Sequence, residues 1–183
     1  MAELPLRRYE GAVHLVTSAV HAEQAMEDIR REDVVGFDTE TRPAFRKGEV
    51  HLPCLVQAAT ARAVYLFQLP RMDFSAMVAE FISAPGIVKV GISVSHDLHQ
   101  LKQVFPFESR SVLDAGAVAR RHGLRQTGLR NLAGIFLGIR IPKGNRTSNW
   151  AAPRLSAAQV NYAATDAWAC RELFLCYRRL GLV

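Results

Sequence analysis

Residues 34–40 read Val-Val-Gly-Phe-Asp-Thr-Glu, an apolar run that ends in two acids spaced two apart. Its β-branched content predicts a strand, and a strand turns residues i and i+2 to one face. Asp38 and Glu40 therefore point the same way at the end of a core strand. Towards the C-terminus Tyr162 and Asp166 stand four apart in Asn161-Tyr162-Ala163-Ala164-Thr165-Asp166-Ala167, which puts both on one side of a helix. Asp97 follows a second apolar run, Ile87 to Val94. Carboxylates gathered at one point repel one another unless hard cations neutralise them, and oxygen-rich clusters are what Mg²⁺ or Mn²⁺ prefer. A chain that folds these acids together has the equipment of two-metal phosphodiester cleavage.

The pattern around these residues is that of an α/β chain. Short strands are expected at 12–16, 34–38, 55–59, 63–67, 87–91 and 111–114, with Thr60-Ala61-Arg62 as a hairpin link. Helices are expected after Ser18 as far as Arg31, at 74–83, from Ser95 to Val104, near 115–122 and near 128–137. The last helix is the best marked. Ser156-Ala157-Ala158-Gln159 fits a capping box, and beyond it Val160, Ala163, Ala167, Cys170, Phe174 and Tyr177 recur at helical spacing as one buried stripe. At 183 residues the chain fits a single domain over residues 1–183. The order of elements predicts a mixed sheet of five to six strands with helices on both faces.

Charge adds a direction. The net charge is +6, but residues 1–91 carry −2 and residues 92–183 carry +8. The stretch 110–154 holds nine basic residues against one acid, Asp114. A basic face of this kind fits a polyanionic partner or a solvated helix surface. The three cysteines, Cys54, Cys170 and Cys176, form no C-x-x-C pair and read as small buried residues of a reducing compartment. The N-terminus lacks the apolar core of a signal peptide, and the longest comparable run, Leu132 to Ile139, is too short to span a bilayer. A soluble, cytoplasmic protein is the expectation. His96-Asp97-x-His99 lacks the Cys/His partners of a zinc site.

Each acid alone has a plainer reading, as a turn or a helix cap; their combination is what points to a site. In order and context the five residues resemble the DEDD 3′–5′ exonuclease family. The similarity is to its tyrosine branch, which includes ribonuclease D and the exonuclease domain of the Werner syndrome helicase. Asp38 and Glu40 match the first motif, Asp97 the second, and Tyr162 with Asp166 the third. Lys143, Ser148-Asn149-Trp150 and Leu155-Ser156-x-x-Gln159 match further, and the resemblance covers roughly residues 12–180. The sister branch has a histidine five residues before the last acid, where this chain has Asn161, and none of its six histidines lies in that context. Two departures from ribonuclease D stand out: the His96-Asp97 adjacency, and a Thr41–Gly48 loop closer to the Werner-type group.

The resemblance implies a ribonuclease H-like fold and a metal-dependent 3′–5′ exonuclease releasing nucleoside 5′-monophosphates from a single-stranded or frayed 3′ end. It implies that Asp38, Glu40, Asp97 and Asp166 hold two Mg²⁺ or Mn²⁺ ions about 4 Å apart, with Asp38 bridging. Tyr162 would orient the attacking water, since a phenol with a reference pKa of about 10 is a poor base at neutral pH. Arg42, Arg46, Lys47, Lys143, Arg146 and Arg154 are candidates for phosphate contacts. Phe45 and Trp150 are candidates for base stacking, with a core role also open to Trp150. Two rival readings stand beside this: a catalytically weak or inactive nucleic-acid-binding module on the same fold, and a small-nucleotide phosphohydrolase.

Overall fold

The β-branched runs form strands, and in the computed structural model, which describes residues 3–144 and 147–183, they join one mixed sheet. β1 (Ala12–Val16) leads to α1 (Ala19–Ile29), capped by Ser18, whose hydroxyl accepts from the His21 amide at 3.3 Å. β2 (Val34–Thr41), β3 (Pro53–Ala59) and β4 (Ala63–Gln68) follow as an antiparallel meander. Then come α2 (Ser75–Ser83), β5 (Val88–Gly91), α3 (Val94–Leu101), β6 (Val112–Asp114) and α4 (Ala115–Arg121). α5 (Leu129–Leu132) runs into a π-helical turn (Ala133–Leu137), and α6 (Ala157–Arg179) follows. The spatial order is β1-β4-β3-β2-β5-β6, with β1 parallel to β4 and β5 parallel to both β2 and β6. This is the mixed α/β sheet with helices on both faces that the sequence predicts.

Alternation along β2 assigns those faces. Val35 and Phe37 join Met26 of α1, Phe81 of α2 and Leu98 of α3 in one core. Val34 points the other way, into the cluster with Val118 of α4 and Phe174 and Tyr177 of α6. Gly36 lies on that second face, directly beneath α6. A Cβ there would stand 1.9 Å from the Ala167 carbonyl oxygen.

Two differences from the sequence reading bear on the site. β2 runs past the expected end at residue 38, through Glu40 to Thr41, with its register shift only between those two residues, so Glu40 as well as Asp38 sits within the strand. α6 is buried over a wider arc than one stripe, since Ala164, Ala169, Leu173 and Cys176 are also covered. The reason is a second cover: Ala133 and Ile141 pack on Ala169, and Tyr9 packs near Trp168. The capping box forms as expected, with the Gln159 amide 3.2 Å from Ser156 Oγ and the Ser156 amide 2.9 Å from Gln159 Oε1.

Replacing glycine by alanine in a strand is ordinarily favourable by roughly 0.5–1 kcal/mol, so a loss at Gly36 isolates the packing clash. Gly36→Ala is expected to lose about 1–3 kcal/mol in urea unfolding, the range for overpacking a filled core. Unchanged or raised stability would mean that α6 does not depend on this approach.

Candidate active site

The face of β2 that carries Gly36 also carries Asp38 and Glu40, so both acids look towards α6. Asp166 precedes Ala167, the residue that rests on Gly36. The result is that Asp38, Glu40 and Asp166 each offer a carboxylate oxygen, all within 4.8 Å of one another. Asp97 arrives from the opposite face, in the first turn of α3, and accepts a hydrogen bond from Thr39 Oγ1 at 2.7 Å. Four acids from three separate segments thus meet around the end of β2, three in a tight trio and the fourth tethered by the threonine between the first two.

Their protonation reports the crowding. Burial, and then repulsion from Glu40, Asp166 and Asp97, hold the Asp38 carboxyl well above the usual carboxylate range. The Thr39 amide, 2.9 Å from Asp38 Oδ1, pulls weakly the other way. Burial pushes Asp166 up to about 6, against the lowering influence of the Tyr162 hydroxyl and the Arg130 charge. Asp97 is raised by burial, opposed by its bond from Thr39 and by His96. Tyr162 is raised as well, by burial first and then by the negative charge of Asp166, Glu40 and Asp38, so its hydroxyl keeps its proton.

Such a set fits a divalent cation. Its donors are hard carboxylate oxygens, clustered so that the others repel the charge of Asp38. Gln57, the cross-strand partner of Asp38, is fully buried, and neither of its amide atoms has a partner among the described residues. The nearby thiols do not compete: burial lifts Cys54 to about 11 and raises Cys170 far beyond its ordinary value.

The tyrosine is held from behind. The Trp150 ring lies 5.9 Å from that of Tyr162, and Gly144 presses so closely that a Cβ there would meet the ring at 1.7 Å. Gln159 Nε2 donates to Ser148 Oγ and to the Asn149 carbonyl, both at 3.1 Å, tying the Ser-Asn-Trp turn to the start of α6. Trp150 is only 1% exposed, packed with Leu55, Leu66 and Ala163. This corrects its assignment as a base-stacking residue: the indole supports Tyr162 and presents no face to a ligand.

Three cavities flank the acids. One of about 360 Å³ is lined by Asp38, Tyr162, Asp166, Ile92, Arg130 and Asn131. A second, about 340 Å³, is lined by Glu40, Asp97, Arg42, His96 and Gln100. A third, about 220 Å³, lies among Arg8, Lys143, Tyr162 and Asp166. Arg42 and Lys143, candidates for phosphate contacts, thus line cavities that also hold carboxylates. Phe45, Arg46 and Lys47 are exposed on the loop after β2, where Glu49 accepts from the Phe45 and Arg46 amides at 3.0 and 3.3 Å. Arg154 is exposed in the turn before α6, and Arg146 lies outside the described residues. Arg8, Arg130 and Gln57 were not anticipated. Arg130 belongs to the basic segment 110–154, a signal that marks a region without singling out a residue.

A family model described as 3′-5′ exonuclease matches residues 13–177. The chain is 31% identical over 165 residues to ribonuclease D of Gluconacetobacter diazotrophicus, covering 87% of this chain and 41% of that protein. To an exonuclease mut-7 homolog of Aedes aegypti it is 29% identical over 195 residues, covering 92% of this chain and 27% of that protein. The chain therefore spans less than half the length of these curated relatives. Among solved structures, the Nibbler EXO domain of Aedes aegypti aligns with a TM-score of 0.84 at 25% identity, over 98% of this chain and 93% of that one. Escherichia coli RNase D shares the fold with a TM-score of 0.80 at 19% identity, over 93% of this chain and 46% of that one. The family match runs from β1 deep into α6 and contains all five of the residues gathered here, and the chain belongs to the 3′-5′ exonuclease family.

Proposed function

We propose that this chain removes nucleoside 5′-monophosphates from the 3′ end of single-stranded or frayed nucleic acid, using two divalent cations, Mg²⁺ or Mn²⁺. One observation carries the reading: Asp38, Glu40 and Asp166 converge within 4.8 Å beside a tyrosine that retains its proton. Asp38, on whose charge Glu40, Asp166 and Asp97 all act, would hold the cations together with Glu40 and Asp166. Asp97, set in place by Thr39, would add a carboxylate from the other face. When bound, the cations supply Lewis-acid activation of a water and charge neutralisation at the departing 3′ oxygen.

The remaining chemistry belongs to the chain. The protonated Tyr162 hydroxyl donates to Asp166, and its oxygen, fixed by that bond, orients the water as an acceptor; abstraction of a proton by it is disfavoured by the surrounding carboxylates. Trp150 and Gly144 lock the ring in the direction that this role needs. Arg130, Arg42 and Lys143, each on the wall of a cavity that also holds a carboxylate, take phosphate oxygens. Phe45 is 79% exposed, and stacking on a base would contribute roughly 1–3 kcal/mol. The buried free thiols Cys54, Cys170 and Cys176 support a reducing, cytoplasmic setting.

Three outcomes test this. With 5′-labelled single strands and Mg²⁺ or Mn²⁺, the wild-type chain should give a ladder of one-nucleotide steps that chelator abolishes. Asp38→Asn should slow it by about 10³-fold, the scale for loss of a preorganised charged group. A ladder that survives this substitution would place the activity at another site. Tyr162→Phe should slow cleavage about 10²-fold, as misplacement of a reactant does, while leaving the melting shift caused by Mn²⁺ intact; wild-type speed would remove the positioning role. The third outcome concerns pH. Asp166 titrates near 3.8 when unfolded and about 6 when folded, so between those values the folded chain holds a proton that the unfolded chain has lost. Stability of the metal-free protein should therefore fall as pH rises through that window. Saturating Mn²⁺ should flatten or reverse the trend, and a metal-independent profile would exclude Asp166 as a ligand.

A further inference from the structure

Residues 4–9 form a strap across the outer side of α6. Arg140 ties one end: the Arg7 amide donates to its carbonyl at 2.8 Å, its own amide donates to the Pro5 carbonyl at 2.9 Å, and its Nε donates to the Leu4 carbonyl at 2.9 Å. Thr165 ties the other, accepting from the Tyr9 amide at 3.0 Å, and the Tyr9 ring lies 6.1 Å from that of Trp168. Thr165 is buried and immediately precedes Asp166, so the strap is anchored to the same turn of α6 that carries a carboxylate of the trio. Between the two anchors Arg8 projects into the cavity it shares with Lys143, Tyr162 and Asp166.

The charges in that cavity are unevenly used. Arg130, in the neighbouring cavity, is the cation whose charge acts on Asp166. Among the described residues Arg8 and Lys143 make no ion pair with any acid. Two uncompensated cations in a concavity beside an acidic trio are set to hold an anion that is itself tethered to the group reacting there. At about 220 Å³ the space is below the roughly 300–1,000 Å³ of pockets that enclose a whole small molecule, but it suits a phosphate and its flanking atoms. A guanidinium fork binds phosphate oxygens in pairs, which an ammonium does not.

We propose that the strap is part of the substrate site: Arg8, with Lys143, binds a second phosphate of the strand, adjacent to the phosphodiester being cut. This rests on the exonuclease reading and deepens it, making Arg8 a substrate-binding residue supplied from far outside the sequence motifs. The substrate class it selects is a strand with at least one phosphate beyond the scissile one.

The test compares Arg8→Ala, Arg8→Lys and, as a control on the same strap, Arg7→Ala in the full chain. The substrates are a single-stranded thymidine oligonucleotide and bis(p-nitrophenyl) phosphate, which has no second phosphate. Arg8→Ala should raise KM for the oligonucleotide about tenfold with kcat within about twofold, and leave KM for bis(p-nitrophenyl) phosphate unchanged, as loss of one charge-assisted contact predicts. Its oligonucleotide binding, followed by fluorescence anisotropy, should show a log–log salt slope shallower by about 0.7. Arg8→Lys should fall between Arg8→Ala and the wild type, and Arg7→Ala should match the wild type. Equal losses on both substrates, or a salt slope no different from that of Arg7→Ala, would overturn the proposal. The salt slope is read without turnover, so a chain that binds through Arg8 and cleaves nothing would sink the exonuclease reading alone.

Discussion

Gly36 has no side chain, and α6 occupies the space that one would fill, with the Ala167 carbonyl where a Cβ would be. The site depends on that contact. Carboxylate side chains are short, and those of Asp38 and Glu40 project only a few bonds from β2. They reach Asp166 because the helix axis is drawn in close to the strand two residues earlier. A helix held off by even one methyl group would part the trio before any change in its chemistry. The close approach is also why the flanking α6 positions are small, Ala163, Ala164 and Ala167, all buried.

Bringing the acids together is unfavourable in itself. Burial raises Asp38, Asp97 and Asp166, and repulsion from Glu40, Asp166 and Asp97 raises Asp38 further, so the fold must hold apart from solvent groups that would separate if free. Its resistance comes from elements that share no charge with the trio. The capping box starts α6 and, through Gln159, clamps the Ser148–Asn149 turn. Trp150, carried by the same turn, fills the space behind Tyr162. Val34 and Phe37 seat β2 in two separate cores. Destabilised groups on a rigid frame are the condition under which a cation gains most by binding, since neutralising the trio relieves a repulsion already in place.

Much of this is legible along the chain, because the informative spacings are local. Two residues apart on a strand and four apart on a helix are geometric statements that need no tertiary knowledge, and both pairs face as their spacing requires. The six strands follow from β-branched runs, and the start of α6 from its cap. What the sequence withholds is anything set by contacts between distant segments. Trp150 reads equally as a stacking surface or as core until its neighbours from β3, β4 and α6 are known. Gln57 looks like an ordinary polar residue in a strand; only the register that places it opposite Asp38 makes it notable. Arg8 lies 158 positions from Asp166, and no motif or periodicity links them.

The same limit applies to charge. By sequence the basic excess lies entirely in residues 92–183, at +8 against −2 for the first half. In space the cations around the acids come from both halves: Arg8 and Arg42 from the acidic one, Arg130 and Lys143 from the basic one. Counting charge along the chain locates a region, whereas the potential a strand meets is set by which side chains share a cavity wall. Positive groups on three sides of a negative centre make a field that attracts a polyanion at its rim and repels it at the floor. On the proposed reading, divalent cations held at the floor would reverse that last step, so entry of a strand and occupation of the metal site would be coupled. Such a coupling would follow from the placement of the charges and need no moving part.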